Sequence, residues 1–481
     1  VQSAGTSIAV LPFADISPEH DQDYFSDGLS EELLNQLSLI SGLQVAGRTS
    51  SFSFRGKGED SKIIGRKLGV SHLLDGSVRK AGQQLRITAE LIDTETGIRE
   101  WSRSYDHKLE DVFAVQAEIA KDVAAALSIK LGVGAATGMV GGTADVAAYE
   151  KFLRARAAIT LGGPENYRHG IELFREAVRL DPGFARAWSE LYRALRYFRV
   201  FIPTQLDAGR EEMAQASARA LKLAPDAWWT HVMRARQLRD QHLWVEAEAA
   251  AKQAVAAASA TEVDAIGAYA GFLEDVGRVR ESIPYFQRMR DADPLSLEAS
   301  GALQIVLRSS GQSAAADSEY ERSKNLAGEH GEWDWYALLR LWSRKDADPA
   351  EVARRVRDIL RTPNSELKQL ESKLDDPPGA RAVLREAFKG SRVRDSWTGV
   401  TGLALMADHF GDRDLVLAAL RRRVELIDFH YIAWWPYETQ LRSDPRFKQI
   451  VRDLKLDEYW RSSGNWGDFC KPLGESDFEC R

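Results

Sequence analysis

Cysteine is nearly missing from this chain: two residues in 481, Cys470 and Cys480, both in the closing segment FCKPLGESDFECR. So few thiols exclude a disulfide-dense scaffold, and with no further Cys or His at ligand spacing beside them they speak against zinc in that segment. A bond between the two would close a short loop worth about 2.7 kcal/mol on the chain-entropy model and would favour an oxidising compartment; a pair of unlinked thiols is the alternative. Also missing is any run of the eighteen or more apolar residues that a membrane helix needs, and any basic stretch leading through an apolar core to a cleavage site. Positive charge is in deficit, 64 Lys and Arg against 71 Asp and Glu for a net charge of −7, which argues against a nucleic-acid surface. The basic run Arg421 to Arg423 lies in a helical pattern and reads as a solvated face.

The motifs of common chemistries are missing as well. Gly56 and Lys57 lack the upstream glycine of a phosphate-binding loop and are followed by Gly58, no His-Glu-x-x-His occurs among the nine histidines, and no Gly-x-Ser-x-Gly frames a serine. From these absences we expect no catalytic residues, no metal and no cofactor, and a chain that is not an enzyme. The acidic group Asp21, Asp23, Asp27, Glu31 and Glu32 does not follow calcium-loop spacing and reads as a charged helix start.

With 44% apolar and 28% charged residues, the chain can support two or three cores. Ile8 to Phe13 reads as a buried strand, followed by an acidic loop and a helix over 26–39 with Ser26 or Asp27 as N-cap. A strand over 43–47, a helix over 60–68, strands near 71–79, 84–92 and 98–106, and a helix over 111–130 complete an α+β layer that ends in a meander. Five glycines between Gly132 and Gly142 then mark a linker.

Beyond it, Pro182, Pro225 and Pro294 close helices at intervals of 43 and 69 residues. Two 34-residue units account for the second interval, and one unit plus an insertion near Phe198 to Leu206 for the first. In phase stand Gly170, Phe174 and Ala177; Ala247, Ala251 and Ala254; Ser282, Phe286 and Met289; and Ala316, Tyr320 and Ser323. Small residues let paired helices approach, and bulky ones fill the gap to the next pair. The spacing matches tetratricopeptide (TPR) repeats, with Trp188 and Leu191 where an opening helix carries its Trp and Leu, and predicts four or five units over 146–328. From Trp333 to about Arg461 the chain stays helical without register, with a loop at Asp346 to Pro349 and a last repeat-like turn at Asp444 to Phe447.

The segments SIAVLPFADISPEHDQDYFSDGLSEELL, RTSSFSF, LGVSHLLDGSVRK and LRITAELIDTETG occur in the order of the TolB amino-terminal-like domain, which residues 6 to 131 closely resemble. That resemblance implies a module preceding TPR repeats in the exported half of membrane-anchored bacterial regulators, among them CadC-like winged-helix activators, and in some class III adenylate cyclases. The expected plan is an α+β domain (1–131), a Gly-rich linker (132–145), an all-α TPR solenoid (146–330) and a C-terminal helical cap (331–481). A chain opening on Val1 in a VQSAGTS stretch reads as a fragment whose anchor or effector lies upstream.

If strands 7–13 and 43–47 are parallel, their carboxyl ends gather Asp27, Arg48, Ser50 and Ser51 at the edge where open α/β sheets bind ligands; alternatively Arg48 pairs with Asp27 or Glu31 and only fixes the loop. Trp188, Trp228, Trp229 and Trp244 are candidates for a TPR groove, although repeat tryptophans more often pack between helices. The reading favoured by the sequence is a periplasmic sensor and protein-interaction ectodomain of a transcriptional regulator. It takes a protein or peptide partner in the groove, a small ligand at the α+β domain, and a second copy of itself in a homodimer. An accessory half of an adenylate cyclase and an envelope scaffold are the alternatives.

Overall fold

The structure, a computed structural model, describes residues 6–127, 141–201, 209–327, 372–390, 397–426, 431–435 and 441–481, with a few positions between 348 and 370. Most of the Gly-rich linker, most of the insertion at Phe198 to Leu206, Trp333 and nearly all of the Asp346 to Pro349 loop lie outside the described residues.

Strand β1 (Ser7–Val10) is buried along its length, and alternate side chains enter different cores. Ile8, Val10 and Phe13 join one cluster, Ala9 and Leu11 another. Burial on both faces makes β1 a central strand. It pairs in parallel with β3 (Gln44–Val45) on one side and β4 (His72–Ala81) on the other, and β2 (Ala14–Asp15) runs parallel to β4. The expected meander follows, as β4, β5 (Gln84–Asp93) and β6 (Arg99–Lys108) pair antiparallel. The order is β3-β1-β4-β5-β6. Strand β5 alternates Leu85, Ile87, Ala89 and Leu91 inward with mostly polar residues outward, whereas edge strand β6 buries only Tyr105 and, apart from the half-buried Trp101, is charged or polar, which protects an open edge.

Helix α1 (Asp23–Ser38) starts three residues earlier than the sequence suggested, because capping comes from elsewhere. The Asp15 carboxylate accepts from Ser17 N at 2.8 Å and Gln22 N at 2.8 Å, fixing the turn into the helix. Ser26 and Asp27 lie inside α1 and are not its cap. The RTSSF segment forms a short helix, α2 (Arg48–Phe52); α3 (Ser61–Leu68), capped by Asp60, and α4 (Val112–Ala126) complete the layer.

The rest is a series of paired antiparallel helices resembling a TPR solenoid. Five pairs are described: α5 (Val146–Thr160) with α6 (Gly163–Leu180), α7 (Ala185–Phe201) with α8 (Arg210–Leu223), α9 (Trp228–Asp240) with α10 (Trp244–Ala257), α11 (Val263–Asp275) with α12 (Val279–Ala292), and α13 (Leu297–Ser309) with α14 (Ser313–Ala327). Pro182, Pro225 and Pro294 each stand two residues past the second helix of a pair, where a residue that cannot continue a helix belongs. The in-phase small residues are buried, among them Ala177, Ala247, Ala251, Ser282 and Ala316.

Helices Pro377–Lys389, Trp397–His409, Arg413–Leu426, Pro445–Asp453 and Leu456–Ser463 follow, and then the hairpin Cys470–Leu473 with Asp477–Cys480. Asp444 caps the helix that starts at Pro445. Cys470 and Cys480 face each other across the hairpin and are joined by a disulfide. Three indoles tie this segment to the repeats: Trp434 Nε1 donates to Asp275 O at 3.0 Å, Trp460 Nε1 to Val276 O at 2.9 Å, and Trp244 Nε1 to Leu454 O at 2.6 Å. Among the described residues no helix is long and apolar enough to cross a membrane.

Candidate functional site

The α+β layer is seated on the helical array at two places, and both rest on glycine. At one, α1 lies against α5 so closely that a Cβ on Gly28 would stand 2.3 Å from Leu153 Cδ2. At the other, α2 abuts the turn between α12 and α13, where Gly47 N donates to Ala292 O at 2.7 Å and a Cβ on Gly47 would stand 2.5 Å from Asp293 Cγ. The carboxyl edge of the β1–β3 pair therefore faces the repeats.

A polar network runs through this junction. Glu31 on α1 pairs with Arg48 at 3.1 Å and with Arg156 on α5. Burial would raise its carboxyl, but Arg156 and Arg48 outweigh burial and hold it low. The adjacent Glu32 is less well compensated: burial, then the charge of Glu31, outweigh Arg156, Arg186 and Asn35 and push it up to about 7, and its Oε2 has no hydrogen-bond partner among the described residues. On α7, burial opposes ionisation of Glu190, yet Arg193, Arg186 and Arg156 hold it at about 2. Glu262 at the start of α11 is pushed up to about 7 by burial and by Asp264, and Glu298 on α13 is raised for the same two reasons.

Beside this network lies a cavity of about 340 Å³. Arg196, Arg236, Asp264 and Glu298 supply its charged walls, and Phe286 and Met289 part of its apolar lining. Guanidinium and carboxylate groups over apolar surface suit a polar segment of another chain.

The residues singled out from the sequence fall in four different settings. Arg48 pairs with Glu31 and lies 4.5 Å over the Phe52 ring. Ser50 N donates to Asp293 Oδ1 at 2.6 Å, and Ser50 Oγ accepts from Leu295 N at 2.7 Å. Ser51 is fully buried, and Asp27 pairs with Arg55 near the surface. The structure thus brings Arg48 and Ser50 to the junction and not Asp27. Of the tryptophans, Trp229 and Trp244 are buried, Trp188 donates to Pro182 O at 3.0 Å, and Arg186 lies over the rings of Trp228 and Trp229; none of the four lines the cavity.

A second constellation escaped the sequence reading. His72, Asp93 and Glu100 bring one ligand atom each within 4.8 Å of one another at the end of the sheet, with His72 Nε2 3.4 Å from Glu100 Oε2. They come from three strands, so no motif spacing announces them; only the antiparallel register, with His72 opposite Asp93, could have pointed there.

No family model matches the sequence. Over 189 residues the chain is 40% identical to a protein of Rhizobium meliloti (strain 1021) described as "Putative adenylate cyclase 3", a stretch covering 39% of this chain and 32% of that protein. The chain thus spans about a third of the length of the curated relative it matches. Among solved structures, yeast Tom70 is 12% identical, covering 92% of this chain and 84% of its own, with a TM-score of 0.39. PilW, a type IV pilus biogenesis factor, is 18% identical, covering 49% of this chain and 98% of its own, with a TM-score of 0.34. A tetratricopeptide repeat protein of Parabacteroides merdae ATCC 43184 is 10% identical, covering 65% and 100%, with a TM-score of 0.31. Scores this low carry no inference about function.

The expectation that this chain is not an enzyme is corrected by two of these findings. The relative is described as "Putative adenylate cyclase 3", and three side chains of types that can ligate a metal converge where none was foreseen.

Proposed function

We propose that this chain is the recognition and regulatory portion of an adenylate-cyclase signalling protein, taking a protein or peptide partner on the TPR-like array and relaying its presence through the junction with the α+β domain. The observation that carries the reading is the 40% identity over 189 residues to a protein described as an adenylate cyclase. Stacked helix pairs with a charged cavity beside the junction support the partner's class. The resemblance of residues 6–131 to TolB amino-terminal-like domains agrees with it, since that module precedes TPR repeats in some class III cyclases. A periplasmic position belongs to the same proposal and is supported by the Cys470–Cys480 bond, which persists in oxidising compartments; membrane anchoring belongs to it through the TolB-like resemblance.

A transcriptional regulator of the CadC-like kind is the second reading, favoured by the same TolB-like resemblance; it differs in output alone. Expressing the whole natural protein in a host stripped of its own cyclases decides between them. Accumulation of cyclic AMP is the expected result, and a whole protein that makes none while binding promoter DNA would sink the cyclase reading.

A further inference from the structure

We propose that His72, Asp93 and Glu100 form a binding site for one divalent transition-metal ion, zinc fitting best, which clamps the strands at the end of the sheet.

Each ligand is prepared by its neighbours. The Ser71 hydroxyl lies 2.9 Å from Ser7 O and 2.9 Å from His72 Nδ1, so the imidazole is held through Nδ1. That leaves Nε2 facing Glu100, the orientation that a metal-binding imidazole takes when its other nitrogen is hydrogen-bonded. On Asp93, Oδ1 accepts from Thr96 N at 2.6 Å and Thr96 Oγ1 at 2.8 Å, which holds the carboxylate still. Both Thr96 bonds go to Oδ1 and leave Oδ2 clear of them.

Glu100 arrives through a defect in the ladder. Leu91 faces Trp101 and Ile92 faces Arg99, so Glu100 is the extra residue of a β-bulge. Bulges re-aim a side chain at a cost in pairing, and this one sends a carboxylate toward the imidazole.

Bonds of about 2.0–2.2 Å separate the ligands of a tetrahedral zinc by roughly 3.4 Å. The Nε2 to Oε2 distance is already 3.4 Å, and the third atom needs only a small side-chain adjustment. A ring nitrogen with two carboxylates favours zinc over the all-oxygen preference of magnesium or calcium, and three protein ligands leave a fourth position for water. Because Ser71 also bonds Ser7, an ion here would tie the start of β1 to β4, β5 and β6.

The test is calorimetric titration of zinc chloride into the metal-stripped full chain, repeated with cobalt while its visible absorption is recorded. One equivalent should bind with the intense bands of tetrahedral cobalt. His72→Ala and Asp93→Asn should each lose that equivalent, and Ser71→Ala should weaken it about tenfold. Glu100→Gln changes an exposed side chain and decides the question should His72→Ala fail to fold. An absence of bound zinc, or an equivalent retained in Glu100→Gln and in every folded His72 variant, overturns the proposal.

Discussion

Glu32 sits at a disadvantage that its neighbour does not share. Glu31 is neutralised by Arg48 and Arg156, while for Glu32, buried beside it, burial and the charge of Glu31 outweigh the more distant Arg156 and Arg186 and push it up to about 7. A carboxyl raised in the folded state holds its proton more tightly there than in the unfolded chain. Its contribution is therefore complete below the ordinary glutamate range near 4.5 and is lost as pH rises through about 7. Glu190 has the opposite sign: held at about 2, it stabilises the fold above the ordinary range and loses that contribution only as pH falls toward 2. Between pH 5 and 8 the Glu32 contribution changes while that of Glu190 does not, and Glu262, also raised to about 7, changes alike in the natural protein and in a Glu32 variant. Glu32→Gln, neutral throughout, should gain stability relative to the natural protein on going from pH 5 to pH 8, by on the order of 1–3 kcal/mol. Urea denaturation at the two pH values reads this directly, and equal pH dependence in both proteins would contradict it.

At the scale of elements, the same sequence was legible in some places and opaque in others. Helix pairs were readable because a proline after the second helix and a small-bulky-small rhythm on it are local consequences of close packing, as Pro182, Phe174 and Ala177 illustrate. Strand β1 was readable because a central strand must be apolar on both faces. The start of α1 was misread because its turn is fixed by Asp15, a residue in a strand, and not by Ser26 or Asp27 within the helix. The contact of Ser50 with Asp293 joins residues 243 apart, and the convergence of His72, Asp93 and Glu100 depends on register and a bulge; no local pattern encodes either. Two glycines record where elements touch. Gly28→Val would drive side-chain atoms into Leu153, an overpacking that should destabilise the chain by about 1–3 kcal/mol. Hydrogen exchange should then quicken in α1 and α5 together, whereas a change confined to α1 would mean that the two helices are not energetically joined.

For the whole molecule, the notable fact is that one apolar cluster contains Phe25, Leu29 and Val115 of the α+β layer as well as Tyr149, Phe152 and Phe184 of the first repeats. The two parts share a core, so a partner that shifts the repeats has a mechanical route to β1 through α5, and a polar one through Asp293 and Ser50. A coupling of that kind is a free energy, and 1–3 kcal/mol of it changes output about 5-fold to 150-fold. The decisive measurement is cyclic AMP production by the whole natural protein with Asp293→Ala set against the unaltered protein, both confirmed to be folded by circular dichroism. Loss of the acceptor for Ser50 should change the output about fivefold or more, and identical output from the two would contradict the claim that this junction relays the signal.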